Sequence, residues 1–490
     1  MSQSLSEKSL SGILWVFADK LGSSSINFLI TIVLARLLAP EHFGLVAMVM
    51  VFFELSSVFV ESGFSTALIR QKEISEADKS TTFIFNLITA VALYVVLFFC
   101  APLIAGFFEQ PMLTWIVRVM GLNLIIEALA IVQGSTLTQQ IDFKTQTKAR
   151  FGAVVLSGIA GVALAFQGFG VWALVVRILV MALLQTAFLW KLNPWKPSFV
   201  FSKESFTRLF GFGSKILSAA LLDKFFSHIY KLVIGKFFAA ASLGFYTQAG
   251  NFSNMVINTL FRTVQSVTYP VLSKLQDDRP RLKEGYRKIL MLSSFVIFPA
   301  MTLLGVLAKP TLLVLVGEKW LPSVPFLQLL CLAGATYHFT TVNLNMLLVL
   351  GRSDLSLKLE VVKKIVIGIA IVAGLPFGIY GLVIGEVIAT YINMTINAFY
   401  SKKFLAYSFP EQLLDVAPTL SISIMTGALV YLISSLPYES ALLQLTASLA
   451  FGGVAYLGLH LLARTQEMAF IRRMIIPKTM QLLAKTGKTS

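Results

Sequence analysis

Ala35-Arg36-Leu37-Leu38-Ala39-Pro40-Glu41-His42-Phe43-Gly44 returns at an offset of 200 as Gly235-Lys236-Phe237-Phe238-Ala239-Ala240-Ala241-Ser242-Leu243-Gly244. Each copy follows a hydrophobic segment that carries one polar stripe. Lys20, Ser24, Asn27 and Thr31 form the first stripe, and Lys224, His228, Lys231 and Gly235 the second. Steps of four, three and four place each set on one face of a helix. A further echo sets Gly170-Val171-Trp172-Ala173-Leu174-Val175 against Gly378-Ile379-Tyr380-Gly381-Leu382-Val383, with Arg150 opposite Lys358. The pattern reads as a duplicated unit, helices one to six and then seven to twelve.

The medium follows from composition. Of 490 residues, 56% are hydrophobic and only 13% charged, and mean hydropathy is +0.79, outside the range of soluble domains. The fold class is all-α integral membrane protein. About 14 spans are expected, centred near positions 24, 55, 93, 124, 157, 181, 225, 256, 298, 336, 367, 390, 425 and 451, since a helical span needs about 20 apolar residues. Helices one, seven and eight, which carry charges and amides, give the weakest hydropathy signal.

Net charge is +16, and most of it falls on one side. With the N-terminus cytoplasmic, most Lys and Arg lie in cytoplasmic loops and tails, while the outer loops hold Lys309 and Lys319. The positive-inside rule then puts both termini in the cytoplasm. Both copies start on the same side, so the repeats are parallel, with a site expected between them near the midplane. Basic residues dispersed over many loops argue against a nucleic-acid partner. Met1–Leu10 is expected to lead into a retained first span rather than a cleaved signal peptide. Cys100 and Cys331 show neither metal-ligand nor disulfide spacing.

The expected division is residues 1–191 for the first lobe, 192–209 for a cytoplasmic linker with Pro194 and Pro197, and 210–403 for the second lobe. Helices thirteen and fourteen occupy 404–463, and a basic amphipathic tail fills 464–490, suited to anionic lipid on the inner leaflet. Within the linker, Ser202 to Phe210 is a candidate interfacial helix. Arg36, Lys215, Lys236, Lys363 and Lys364 are expected near helix ends, where long side chains snorkel.

Deep intramembrane cations are expensive and face protein or a watery cavity. Lys20, Lys224, Lys231 and Arg262 are the deep ones, and they make an anionic ligand the expected occupant. Asn27, Asn251, Asn254 and Asn258 are candidate hydrogen-bonding partners for it. Asp19, Glu54, Glu61 and Asp223 are candidates for ion coupling or for charge pairing that holds the lobes together. His228 reads as a satisfied cavity histidine. No catalytic constellation, phosphate-cradling loop or metal cluster emerges, and Gly317-Glu318-Lys319-Trp320 in the longest outer connection reads as a helix-capping turn.

Several segments resemble bacterial polysaccharide-unit exporters of the multidrug/oligosaccharidyl-lipid/polysaccharide exporter superfamily, the colanic-acid exporter type above all. They are Leu34-Ala35-Arg36 with Phe43-Gly44, Glu61-Ser62-Gly63-Phe64 running to Ile69-Arg70-Gln71-Lys72-Glu73, Tyr269-Pro270-Val271-Leu272-Ser273-Lys274, and Gly317-Glu318-Lys319-Trp320 leading to Leu327-Gln328-Leu329-Leu330-Cys331. The resemblance implies two six-helix lobes in a V with two additional C-terminal helices. It also implies a flippase, not an enzyme, that moves undecaprenyl-pyrophosphate-linked oligosaccharide from the cytoplasmic to the periplasmic leaflet by alternating access. Lys20, Lys224, Lys231 and Arg262 would meet the pyrophosphate, although helix two offers glutamates where such relatives have a cation.

The implied setting is the bacterial cytoplasmic membrane, with lipid, a glycan polymerase and export machinery as partners. No cofactor is expected, and a proton or sodium gradient is the candidate energy source. Three alternatives stay open, a multidrug or cation antiporter of the same superfamily, a membrane glycan polymerase or ligase, and a non-transporting scaffold in a glycan assembly complex.

Overall fold

The computed structural model describes residues 5–474 except 72, 73, 194 and 199; the side chains of 5–14, 16–21, 215, 219, 261–271, 353 and 471–474 lie outside the description. Every regular element among the described residues is helical. In chain order they are α1 (Leu5–Leu37), α2 (Pro40–Glu61), α3 (Phe64–Arg70), α4 (Glu76–Phe108), α5 (Leu113–Gln139), α6 (Phe143–Phe166), α7 (Val171–Leu192), α8 (Lys203–Phe237) and α9 (Ala240–Ser273). There follow α10 (Arg279–Val306), α11 (Ala308–Leu315), α12 (Val324–Gly334), α13 (Tyr337–Val349), α14 (Ser353–Gly374), α15 (Gly378–Leu405), α16 (Phe409–Ser434), α17 (Ala441–Leu462) and α18 (Gln466–Met474).

Nine helical stretches among the described residues are long and apolar enough to cross a membrane, and Asp354–Leu405, counted as one, contains two helices. The polar helices α1, α8 and α9 run 33, 35 and 34 residues. That length exceeds a hydrocarbon core of about 30 Å at 1.5 Å per residue.

Local chemistry sets the helix starts. Ser75 and Asp78 form a capping box on α4, Asp142 caps α6, Ser202 caps α8, and Ser408 with Glu411 caps α16. Each side-chain oxygen satisfies an otherwise orphaned first-turn N–H. The repeat survives in the backbone. α1 ends at Leu37 and α8 at Phe237; α2 starts at Pro40 and α9 at Ala240. The turns match bond for bond, with Leu38 N donating to Leu34 O at 2.8 Å and Phe238 N to Ile234 O at 2.9 Å, then His42 N to Ala39 O at 3.1 Å and Ser242 N to Ala239 O at 2.9 Å.

The chain packs as two units, Met1–Thr247 and Gln248–Ser490. In the first, α4 packs on α5, α6 on α1 and α7, and α8 lies along α2, α3 and α4. Contrary to the expected interfacial helix, Ser202–Phe210 is not a separate element. Lys203 begins a single helix that continues to Phe237, because Leu209 is buried with Phe64, Ala67 and Leu68 rather than laid against lipid. The preceding linker is strapped to the start of α4. Trp195 Nε1 donates to Glu76 at 2.7 Å, Ser198 N to Ser80 Oγ at 3.2 Å, and Ser202 N to Thr81 Oγ1 at 2.9 Å. Arg208 pairs with the buried Asp78.

In the second unit, α10 packs on α16, and α15 on α12, α13 and α14. Buried Gln412 of α16 bonds Asn343 of α13 and Ser401 of α15. Tyr407 donates to Asp415 at 2.6 Å, and burial with that carboxylate pushes its hydroxyl well above the usual range. The span centred at 336 is broken between α12 and α13, where buried His338 shares a 2.8 Å hydrogen bond with Ser294. Lys363 and Lys364 do not sit at a helix end. They lie midway along α14, and Lys363 is buried and paired with Glu360, so a neighbouring carboxylate replaces the snorkelling route. α18 is docked through buried Glu467, which accepts from Thr419 at 2.8 Å; the tail from 475 onward lies outside the described residues.

The α4 cap and strap give a graded prediction. Ser75→Ala removes the cap alone and costs about 1 kcal/mol. Asp78→Ala also leaves Arg208 unpaired and costs about 2 to 3 kcal/mol. Thermal unfolding in detergent should therefore rank Asp78→Ala below Ser75→Ala below the parent.

Candidate functional site

α2 and α8 run antiparallel along one seam of the first unit, held at three levels. At one end a Cβ on Gly63 would come within 2.6 Å of the Gly213 carbonyl oxygen, so the chains meet there backbone to backbone. Gly63 also takes φ +69, following Ser62 at φ 47, the left-handed geometry that ends α2 and turns into α3. At the other end, Gly235 lies against Met48 and Phe108. Between these levels sits the polar centre.

There Glu54 of α2 accepts from Lys224 Nζ at 2.6 Å and faces His228 Nε2 at 3.2 Å. Side-chain exposure is 42% for Lys224, 30% for Glu54 and 9% for His228. The carboxylate is thus gripped by two donors one helical turn apart, while the ammonium keeps an open side. His228 Nδ1 is buried with no partner among the described residues.

Glu61 ends α2, exposed, within electrostatic reach of Lys224. Lys231 lies half-buried one turn further along α8, and Asp223 is exposed, about 100° around the helix from Lys224. On α1, exposed Asn27 accepts from Arg177 of α7, whose aliphatic stem lies over Gly161 so closely that a Cβ there would come within 2.9 Å. Asn251, Asn254 and Asn258 are exposed together on α9 in the second unit, with Asn251 Nδ2 donating to Gln248 at 3.4 Å. The side chains of Asp19, Lys20 and Arg262 lie outside the described residues.

Of the residues singled out in the sequence, the structure joins Glu54 to Lys224, with His228 as a second donor. It adds one acid that sequence reasoning passed over and one pairing that it did not foresee. Glu127 of α5 is exposed and within electrostatic range of Glu54; its signal was a lone acid in the apolar run Leu124-Ile125-Ile126-Glu127-Ala128-Leu129. Arg177 reaches Asn27 across 150 positions, a pairing no local pattern announces.

The arrangement leaves the Lys224 ammonium open to an anion on the side away from Glu54. At 4 Å and an effective dielectric of 20, a unit ion pair is worth about 4 kcal/mol before desolvation, and a dianion about doubles that attraction. A multivalent anion at that open side would therefore compete with Glu54 for Lys224. No group of three His, Cys, Asp or Glu disposed to hold a metal occurs among the described residues. The outer connection Glu318–Ser323 is a short 3₁₀ turn with Trp320 fully buried, and burial pushes the Lys319 ammonium below the usual lysine range.

These features define a multi-pass, all-helical membrane protein with a duplicated corner and ionised groups kept inside its spans. Residues 33–325 match the family described as polysaccharide biosynthesis protein, and the chain belongs to that family. It is similar to the teichuronic acid biosynthesis protein TuaB of Bacillus subtilis (strain 168), 26% identical over 77% of this chain and 84% of that protein. It is also similar to the succinoglycan biosynthesis transport protein ExoT of Rhizobium meliloti (strain 1021), 24% identical over 94% of each. The fold is that of the lipid II flippase MurJ in an inward closed conformation, with TM-score 0.78 and 18% identity, covering 94% of this chain and 100% of the other.

A double-mutant cycle on Glu54→Gln and Lys224→Met tests the central pair. Solvent screening on the open side of Lys224 holds the coupling to about 1 kcal/mol, read from detergent unfolding midpoints; additive effects would mean that the two groups do not interact.

Proposed function

We propose that the protein carries undecaprenyl-pyrophosphate-linked oligosaccharide from the cytoplasmic to the outer leaflet of the bacterial cytoplasmic membrane, for surface polysaccharide assembly. The observation that carries this reading is the Glu54–Lys224–His228 cluster, an ion pair whose ammonium keeps an open side. Membership of the polysaccharide biosynthesis family supports it, as do relatives named for teichuronic acid and succinoglycan synthesis.

In this reading Lys20, Lys224, Lys231 and Arg262 receive the pyrophosphate, and Asn27, Asn251, Asn254 and Asn258 bond sugar or phosphate oxygens. The prenyl chain stays in lipid. Asp19, Glu54, Glu61 and Asp223 hold the cations until substrate, a proton or a sodium ion displaces them. The protein works without a cofactor and makes no bond; it moves its cargo by alternating access, powered by an ion gradient or the membrane potential. Both termini lie in the cytoplasm, and a glycan polymerase with export machinery takes the product.

Glu54 and Glu61 of α2, with Glu127 of α5 in electrostatic range of Glu54, favour a second reading, a cation antiporter, whose substrates those carboxylates would attract. Liposomes carrying a lipid-linked oligosaccharide separate the two. The Lys20→Gln, Lys224→Gln double variant should abolish leaflet transfer, by at least about 100-fold for the loss of two charge contacts, while keeping a monodisperse elution profile. Transfer at the parental rate would overturn the assignment.

A further inference from the structure

We infer that a cavity between α10 and α18 holds a membrane phospholipid with an amine headgroup, its ammonium on Glu467 and its phosphate on Lys288. The inference goes beyond the transport reading and does not depend on it. The cavity measures about 330 Å³, with Lys288, Met291 and Leu292 on the α10 wall and Gln466, Glu467 and Phe470 on the α18 wall, a size found among small-ligand sites. All of it lies in the second unit.

Its depth is that of a headgroup. Lys288 is the last charged residue before the apolar run Ile289 to Val306, which at 1.5 Å per residue is about 27 Å long and fills the hydrocarbon thickness. α17 carries no Asp, Glu, Lys or Arg from Ala441 to Leu462, and Glu467 comes just past its end. The cavity brings the two charges to one rim of the apolar layer.

Glu467 is only 3% exposed, yet it has no cation partner among the described residues. Thr419 donates to one of its oxygens at 2.8 Å. His460 is in electrostatic range, but its Nδ1 shares a 2.7 Å hydrogen bond with Thr465 and its ring packs on Phe295 and Tyr456. A buried carboxylate without a counter-charge is costly, and an ammonium entering the cavity supplies that charge, with the Gln466 amide oxygen as a further acceptor. Lys288 is held more loosely. It pairs with Glu284 at 2.5 Å one turn away, and both side chains are more than half exposed, so the pair is worth little and yields to a phosphate. Met291, Leu292 and Phe470 give the glycerol and first methylenes an apolar wall. An acid, a base and an apolar wall together match a zwitterionic lipid. An anionic lipid would set a second negative charge against Glu467, and a metal ion would find a single carboxylate on the cavity wall.

Native mass spectrometry of the delipidated protein tests this, with dioleoyl phosphatidylethanolamine, phosphatidylcholine or phosphatidylglycerol added. Phosphatidylethanolamine should be retained about tenfold better than the other two, because its ammonium donates charge-assisted hydrogen bonds that a quaternary choline lacks. Glu467→Gln keeps an acceptor for Thr419 and should abolish that preference. Lys288→Ala, at an exposed position, should weaken phosphatidylethanolamine and phosphatidylcholine alike. Equal retention of the three lipids, a preference for phosphatidylglycerol, or a preference that survives Glu467→Gln would overturn the site. Should Glu467→Gln not fold, Lys288→Ala decides, and unchanged retention in that variant overturns the site. The assay contains no lipid-linked oligosaccharide, so a failure here leaves the transport reading to stand or fall on leaflet transfer alone.

Discussion

A carboxylate and an ammonium inside an apolar bundle each lose their hydration, and the loss is tolerable only if they find one another. Glu54, Lys224 and His228 meet that condition across the α2–α8 seam, and much of the first unit is arranged around keeping the seam closed. The pair adds a modest, solvent-screened tie between α8 and α2 to their backbone packing. Because the pair keeps an open flank, it is a restraint that an anionic competitor can release.

Close helix approach supplies the rest of the seam. Small residues let backbones touch where lipid offers no hydrophobic drive for helices to associate, and Gly44, Gly63, Gly213 and Gly244 mark the places where they do. The strap of Trp195, Ser198 and Ser202, bonded to the first two turns of α4, makes the segment between the repeats an ordered part of the first unit. α8 accordingly packs with α2 to α4, although the repeat assigns it to the second copy. Duplication and packing divide this chain at different places.

The elements were largely legible. Hydrophobic periodicity located the helices, and the repeated decapeptide marked the α1–α2 and α8–α9 corners to the residue. Where the reading went astray, tertiary contacts had overridden local pattern. Lys363 and Lys364 looked like snorkelling residues at a helix end, yet they lie midway along α14 because Glu360 neutralises Lys363 in place. Ser202–Phe210 looked interfacial, yet Leu209 had an apolar pocket to fill. Glu127 was passed over although it stands alone in an apolar run, and the Arg177–Asn27 pair was not foreseen, since flanking sequence does not distinguish a paired intramembrane charge from an isolated one.

By itself the sequence determined that this is a helical membrane protein with a duplicated architecture and cations inside its spans, because hydropathy, charge asymmetry and repetition are properties of order along the chain. Only the tertiary structure decided which charges meet. Whether Lys224 answers to Asp223 beside it or to Glu54, 170 positions away, depends on helix direction and distance, and adjacent residues on a helix point about 100° apart. The same holds for Gly44 and Gly244. Their equivalence is written in the sequence, but that the two copies press these glycines against each other is a fact of packing alone.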